Sequence, residues 1–274
     1  MKLGISTNLF KNFPLFEALK TVRSIGYEGV ELLTDIPHFY PPSATLKNVY
    51  EILELLGQLN LGISNINAFM FFALGNSHFP SYLDNSSFRI EFTKWSIFTA
   101  SILGSKTVSI EPGGKQQTNF ETDLEKFSNI LKELTSIAQK FNVKILVEPE
   151  PQLLIENVEQ CLRLVELLKA KSLPDSYFGI NADLGHFYCV GESFENVFTQ
   201  LKEYIGHVHI EDISRDRKHF HLVPGDGVID FAEIVYWLKR INYNGWVTVE
   251  LYPFQDEPID AAQRAFEHLK KIGF

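Results

Sequence analysis

Eight short apolar runs alternate with eight amphipathic stretches from one end of this chain to the other, and that alternation constrains the fold more than any other feature. The runs are 2–7 (KLGIST), 28–33 (EGVELL), 61–67 (LGISNIN), 105–111 (SKTVSIE), 143–148 (VKILVE), 177–183 (YFGINAD), 205–210 (IGHVHI) and 246–251 (WVTVEL). Each has the length and composition of a buried strand. Between them, 14–25, 45–59, 86–103, 120–141, 155–171, 193–203, 230–241 and 258–271 repeat apolar residues three and four apart, as one face of a helix does. Asn60, Asn142, Asn242, Gly26 and Gly104 stand where those helices should stop, since each tolerates the left-handed conformation of a helix end. Strict alternation calls for a parallel sheet with helical crossovers. Eight pairs with no spare element call for its closure into a single α/β domain, a (β/α)8 barrel over 1–274. An open doubly wound sheet would need a glycine-rich first turn, and the first turn here is STNLFKNFP.

Composition narrows the function. A net charge of −9 repels polyanions and no dense Lys/Arg cluster offsets it, so nucleic acid is not an expected partner. No apolar run reaches the roughly 18 residues that span a bilayer, and the start, MKLGISTNLF, enters a strand directly. No membrane association and a cytoplasmic location are therefore expected. Cys161 and Cys189 have neither paired spacing nor a zinc-finger histidine partner, and read as thiols of a reducing compartment.

Four runs end on polar side chains of a kind that bind metals: Glu148 in KILVEPEP, Asp183 in YFGINADLGH, His209 in IGHVHIED and Glu250 in WVTVELYP. Any one could be a helix cap or an ion-pair partner. Together, three carboxylates buried at one end of a parallel sheet cost several kcal/mol unless a cation or protons offset them. Hard oxygen donors with one imidazole suit one divalent ion, Mn, Mg, Co or Zn, with Mn or Mg favoured. Glu148 and Glu250 could also be read as the acid pair of a glycosidase, but Asp183 and His209 beside them make a metal the better explanation.

Further residues stand near these ends. His186, in DLGH, can face the same cavity or lie on the surface; Glu111 ends the fourth run, and Glu150 follows Glu148 at strand spacing. Asn67 and His38 are candidate pocket linings after the third and second runs. Two connections are long, 68–85 and 211–229, and both fall on the face where such barrels keep their sites. The first holds Phe69, Phe71, Phe72 and Phe79 and reads as a lid, or as an interface between copies in a homo-oligomer. The second holds Arg215, Arg217, His219 and His221. An arginine there is placed to fork onto a ligand hydroxyl or phosphate, and His221 is either loop structure or pocket. Phosphate-loop, nucleophile-elbow and HExxH patterns are missing, as is any internal repeat.

With VEPEP around Glu148, NADLGH, HVHIED, PGDGVIDF from Pro224 and NGWVTVELY around Glu250, the chain resembles the sugar phosphate isomerase/epimerase superfamily of xylose isomerase-like TIM barrels, along essentially its whole length. The resemblance implies that Glu148, Asp183, His209 and Glu250 hold one divalent ion, and that Glu148 and Glu250 also exchange a proton beside a carbonyl through an enediolate. It implies that His186 and Arg215 contact substrate oxygens. The endonuclease IV branch needs more histidines for three zinc ions; Asn67 and Glu111-Pro112-Gly113 replace two of them, while His221 fits a third-ion position and His219 replaces an aspartate there. The expected function is a metal-dependent isomerase or epimerase of a sugar, sugar phosphate or related polyol. The alternatives are a metal-dependent dehydratase of a keto-polyol such as an inosose or dehydroshikimate, and a barrel that only binds a ligand or partner.

Overall fold

The alternation becomes a ring. A computed structural model of the chain describes residues 1–70 and 81–274. Its strands are β1 (Lys2–Ser6), β2 (Gly29–Leu33), β3 (Gly62–Asn67), β4 (Thr107–Ile110), β5 (Lys144–Val147), β6 (Phe178–Asp183), β7 (Ile205–Ile210) and β8 (Trp246–Val249). They pair in parallel in sequence order, and β8 closes on β1 with Leu3 beside Val247 and Ile5 beside Val249. The expected closed (β/α)8 barrel is what forms, and every strand boundary agrees with the sequence reading to within two residues.

The helices on the outside are α1 (Leu15–Ile25), α2 (Leu46–Leu59), α3 (Ser86–Leu103), α4 (Phe120–Phe141), α5 (Val158–Ala170), α6 (Leu184–Cys189), α7 (Phe194–Leu201), α8 (Phe231–Arg240) and α9 (Pro258–Ile272). Gly26, Asn60, Gly104 and Asn142 end α1 to α4 in the left-handed conformation, and Asn242 adopts it just past α8. Side chains start the helices: Thr45 and Asn48 form a reciprocal box on α2, and Asn119, Ser193 and Asp230 cap α4, α7 and α8.

Two expectations need correction. The fifth helix begins at Val158 rather than 155, because Asn157 caps the backbone of Gln160 and holds the preceding residues outside the helix. There is also a spare element, α6. Asp183 ends β6 and, through Oδ1, accepts the N–H of His186 at 2.8 Å, so the chain turns into a short helix at once.

The barrel interior carries a polar layer drawn from β2, β3, β4, β6 and β7. Glu31, Asn65, Ser109, Asn181, His207 and His209 are all buried, whereas the sequence alone points to buried polar residues only at the ends of particular runs. Two register shifts serve this layer. Ser64 is an extra residue opposite the Val30–Glu31 step, and Gly206 is one opposite Ile180–Asn181. No helix among the described residues is long and apolar enough to cross a membrane.

Candidate metal centre

Four adjacent strands deliver four donors to one point. Glu148 and Glu250 lie one residue beyond β5 and β8, and each continues its ladder by donating an N–H, to Ile110 O (3.0 Å) and Ile210 O (3.1 Å). Asp183 and His209 are register neighbours across β6 and β7. All four side chains are buried, and one potential ligand atom from each lies within 4.8 Å of the others. His209 Nδ1 is 2.9 Å from Glu148 Oε1, 3.7 Å from Glu250 Oε2 and 3.8 Å from Asp183 Oδ2.

The electrostatics show what such packing demands. Burial opposes a charge on His209, but Glu31, Glu148 and Glu250 outweigh it and raise its pKa well above the ordinary value. Burial pushes Glu250 well up, and the charges of Glu148, Glu31 and Asp183 add to that. Without an ion, then, the cluster offsets its repulsion with protons. A divalent cation fits the donor set on a separate ground. Glu148 Oε2 and Asp183 Oδ2 are both buried and meet no hydrogen-bond partner among the described residues. Buried carboxylate oxygens are rarely left so, and both belong to the four-residue donor cluster.

A second group adjoins the first. His186 gives Nδ1–H to Pro149 O (2.9 Å), while its Nε2 lies 3.0 Å from His219 Nε2 and 3.3 Å from His221 Nε2. Against burial, Asp183, Glu150, Glu148 and Glu250 raise His186 to about 9, whereas burial lowers His219 to about 4 and His221 to about 3. Nitrogens of the three rings lie within 4.8 Å of one another, so this trio too can hold a cation. Burial pushes Glu150 up to about 7, against His186 and with the charges of Glu148 and Asp183 adding.

Both groups open on a cavity of about 680 Å³ at the C-terminal ends of the strands. Asn67, Glu111, Glu150, His186, His219 and His221 all line it, and so does half-buried Phe69. Glu111 accepts the N–H of Tyr82 at 2.9 Å, and burial raises its pKa. Phe71, Phe72 and Phe79 lie outside the described residues. Two candidates are placed elsewhere. His38 puts Nε2 3.0 and 3.2 Å from the carbonyls of Phe10 and Phe13, and pins the loop after β1 rather than lining the cavity. Arg215 is exposed and away from the cavity wall, because the bridge between Asp212 and Leu222 folds the tip of the seventh loop into solvent and returns His219 and His221 inward.

The sequence reading passed over several buried partners. Asn8 donates to Glu250 Oε1 at 2.8 Å, and Glu31 Oε2 lies 2.6 Å from His209 Nε2. Glu211 packs behind Asp183, with its pKa raised by burial and by the Asp183 charge. The available signal was alternation: Glu31 is a charged residue inside an apolar run, and His207 and His209 are two apart on one face of β7.

Comparison with known proteins agrees with this architecture. An uncharacterised protein of Methanocaldococcus jannaschii is 25% identical over 100% of this chain and 98% of its own length. Fructoselysine 3-epimerase of Shigella flexneri is 23% identical over 99% of this chain and 98% of its own. The crystal structure of the IolI protein with a bound zinc atom superposes with a TM-score of 0.81 at 23% identity, covering 99% of this chain and 98% of that one. Over shorter stretches, an inosose dehydratase of Clostridium beijerinckii is 33% identical across 40% of this chain and an inosose isomerase of Bacillus subtilis 28% identical across 56% of it. Residues 19–272 match the family model described as the xylose isomerase-like TIM barrel, and the chain belongs to that family.

Proposed function

We propose that the chain is a divalent-metal-dependent isomerase or epimerase of a small sugar, sugar phosphate or related polyhydroxylated carbonyl compound, which moves a proton beside the carbonyl through an enediolate. One observation carries this reading. Glu148 and Glu250 follow strands three places apart around the ring, yet both line one cavity and both reach to within 4.8 Å of Asp183 and His209. A substrate seated over that point has a carboxylate on either side of the carbon that reacts. One removes the proton from its face; return by the other to the opposite face of that carbon is epimerisation, and return to the neighbouring carbon of the enediolate is isomerisation. The bound ion supplies Lewis-acid polarisation of the carbonyl and offsets the charge that develops on the substrate. Asp183 and His209 mainly hold that ion. His186, tied at Nδ1, turns Nε2 to the cavity beside His219 and His221, where a substrate hydroxyl can be bonded. The zinc atom in the similar IolI protein supports a divalent ion here.

The test is solvent exchange. Metal-loaded protein in deuterated water, given a panel of free and phosphorylated ketoses, is expected to place deuterium on the carbon beside the carbonyl of at least one member. Glu148→Gln and Glu250→Gln should each slow that exchange by about 10²-fold or more. Loss of water with a new enone absorbance would move the assignment to a dehydratase. No exchange and no elimination on any member would overturn catalysis on this substrate class.

A further inference from the structure

His209 has two ring nitrogens, and only one of them can face an ion held by Glu148, Asp183 and Glu250. We propose that Glu31 is the positioning residue that decides which: it holds Nε2–H of His209 so that Nδ1 is the ligating atom. The inference rests on the reading that those four residues hold an ion.

Two carboxylates stand at opposite edges of the His209 ring, and Asn181 Nδ2, 3.3 Å from Nδ1 and 3.4 Å from Nε2, favours neither nitrogen. Glu31 Oε2 lies 2.6 Å from His209 Nε2, and Glu148 Oε1 lies 2.9 Å from Nδ1 at the other edge of the ring. An ionised carboxylate only accepts, so the proton on the Glu31 side belongs to the ring. Glu148 stands at Nδ1 in the same way, but it is itself one of the proposed ligands and Glu31 is not, so with an ion held there the proton the ring keeps is the one on the Glu31 side, and its lone pair falls at Nδ1. Without Glu31 the ring could adopt the other tautomer and aim an N–H at the ion.

Glu31 is itself clamped. Asn65 Nδ2 donates to Oε2 at 2.8 Å and Asn67 Nδ2 to Oε1 at 3.2 Å, so each carboxylate oxygen has a donor besides the ring. Asn65 cannot turn away. Its Oδ1 accepts from Thr107 Oγ1 at 2.7 Å, and its Nδ2 also reaches Ser109 Oγ at 2.7 Å. The relay Thr107–Asn65–Glu31–His209 crosses the barrel interior from β4 to β7. Its Glu31 and Asn65 are register partners just past the extra residue Ser64. A carboxylate behind a metal-bound histidine is a general device for fixing tautomer and ring angle.

The experiment uses the full chain and zinc. Glu31→Gln is nearly isosteric, but its amide cannot accept from the ring and from both asparagines at once. Zinc affinity, measured by chelator competition, is expected to fall about 10- to 100-fold in Glu31→Gln. Nitrogen-15 spectra of zinc-loaded wild-type protein should show His209 ligated at Nδ1 with a proton on Nε2. That measurement needs no variant to fold. Ligation through Nε2, or a Glu31→Gln affinity within a factor of three of wild type, would overturn the role of Glu31 alone. Wild-type protein that binds no zinc, manganese, magnesium or cobalt would overturn the metal centre, and the inference with it.

Discussion

Asp183 carries two duties on two oxygens. Oδ1 caps α6, and Oδ2 points into the donor cluster. The residue that ends β6 thus starts the helix that sets His186 beside the site, and backbone and chemistry are fixed by one side chain. Gly185 shows how closely this corner is built. A Cβ there would collide with Glu211 Oε1 and come within 3.1 Å of Ile213 Cγ1. Two effects compete in Gly185→Ala. Helix propensity favours alanine by about 1 kcal/mol, whereas overpacking a buried site costs about 1–3 kcal/mol. Glu211 and Ile213 are both fully buried and have nowhere to retreat, so the collision should win. A net loss of roughly 1–2 kcal/mol in urea unfolding is expected. An alanine variant as stable as wild type would show that Glu211 moves freely. At this scale the sequence was half legible. Glu148, Asp183, His209 and Glu250 stood out because each closes an apolar run. Glu31 did not, because a glutamate in the middle of EGVELL looks like any solvent-facing strand residue until closure of the barrel makes that face interior. Arg215 rests on its loop position and on the family resemblance, and neither says which limb of this longer loop turns inward.

The seventh loop is an element without regular structure, and it is held by one carboxylate. Asp212 accepts four backbone N–H groups, those of Ile213, Gly225, Gly227 and Ile229, each at 2.9 Å. This explains the PGDG turn physically. Gly225 sits at φ +100, and a Cβ on Gly227 would run into Asp212 Oδ1. The same residue bridges to Leu222 through both backbone groups, at 2.8 and 2.7 Å, which fixes His221 beside it. Asp212→Ala would strand several buried donors, each worth about 1–3 kcal/mol. Loss of at least ~3 kcal/mol is expected in denaturant unfolding, with His221 freed from the carbonyl of Glu250, to which its Nδ1 lies at 2.9 Å. A loss below about 1 kcal/mol would mean that the loop is held by its apolar residues instead. The strands and most helices were legible because short apolar runs and a period of about three and a half leave distinct marks in the sequence. The extra helix α6 was hidden, since six residues are too few for a period to register and its cap was already read as a ligand.

Across the whole molecule, the barrel concentrates negative charge at one end of its axis. Glu31, Glu111, Glu148, Asp183, Glu211 and Glu250 are all buried on or beneath the cavity floor. The histidines there cannot neutralise them all, because burial holds His207 and His221 at about 3. The metal-free fold must therefore keep some of these carboxyls protonated or accept their repulsion, and either course draws on its stability. A cation bound by the folded chain alone removes this cost and adds stability by mass action, about 2.7 kcal/mol when its free concentration is 100 times Kd. Prolonged chelation is accordingly expected to lower the melting temperature by several degrees, and stoichiometric Mn or Zn to restore it. The same ions should leave the melting temperature of Glu148→Gln/Asp183→Asn protein nearly unmoved, because that variant lacks two of the donors while keeping the shape of the site. If that double variant were stabilised as much as wild type, the ion would be binding elsewhere, with the three imidazoles of His186, His219 and His221 the next place to look.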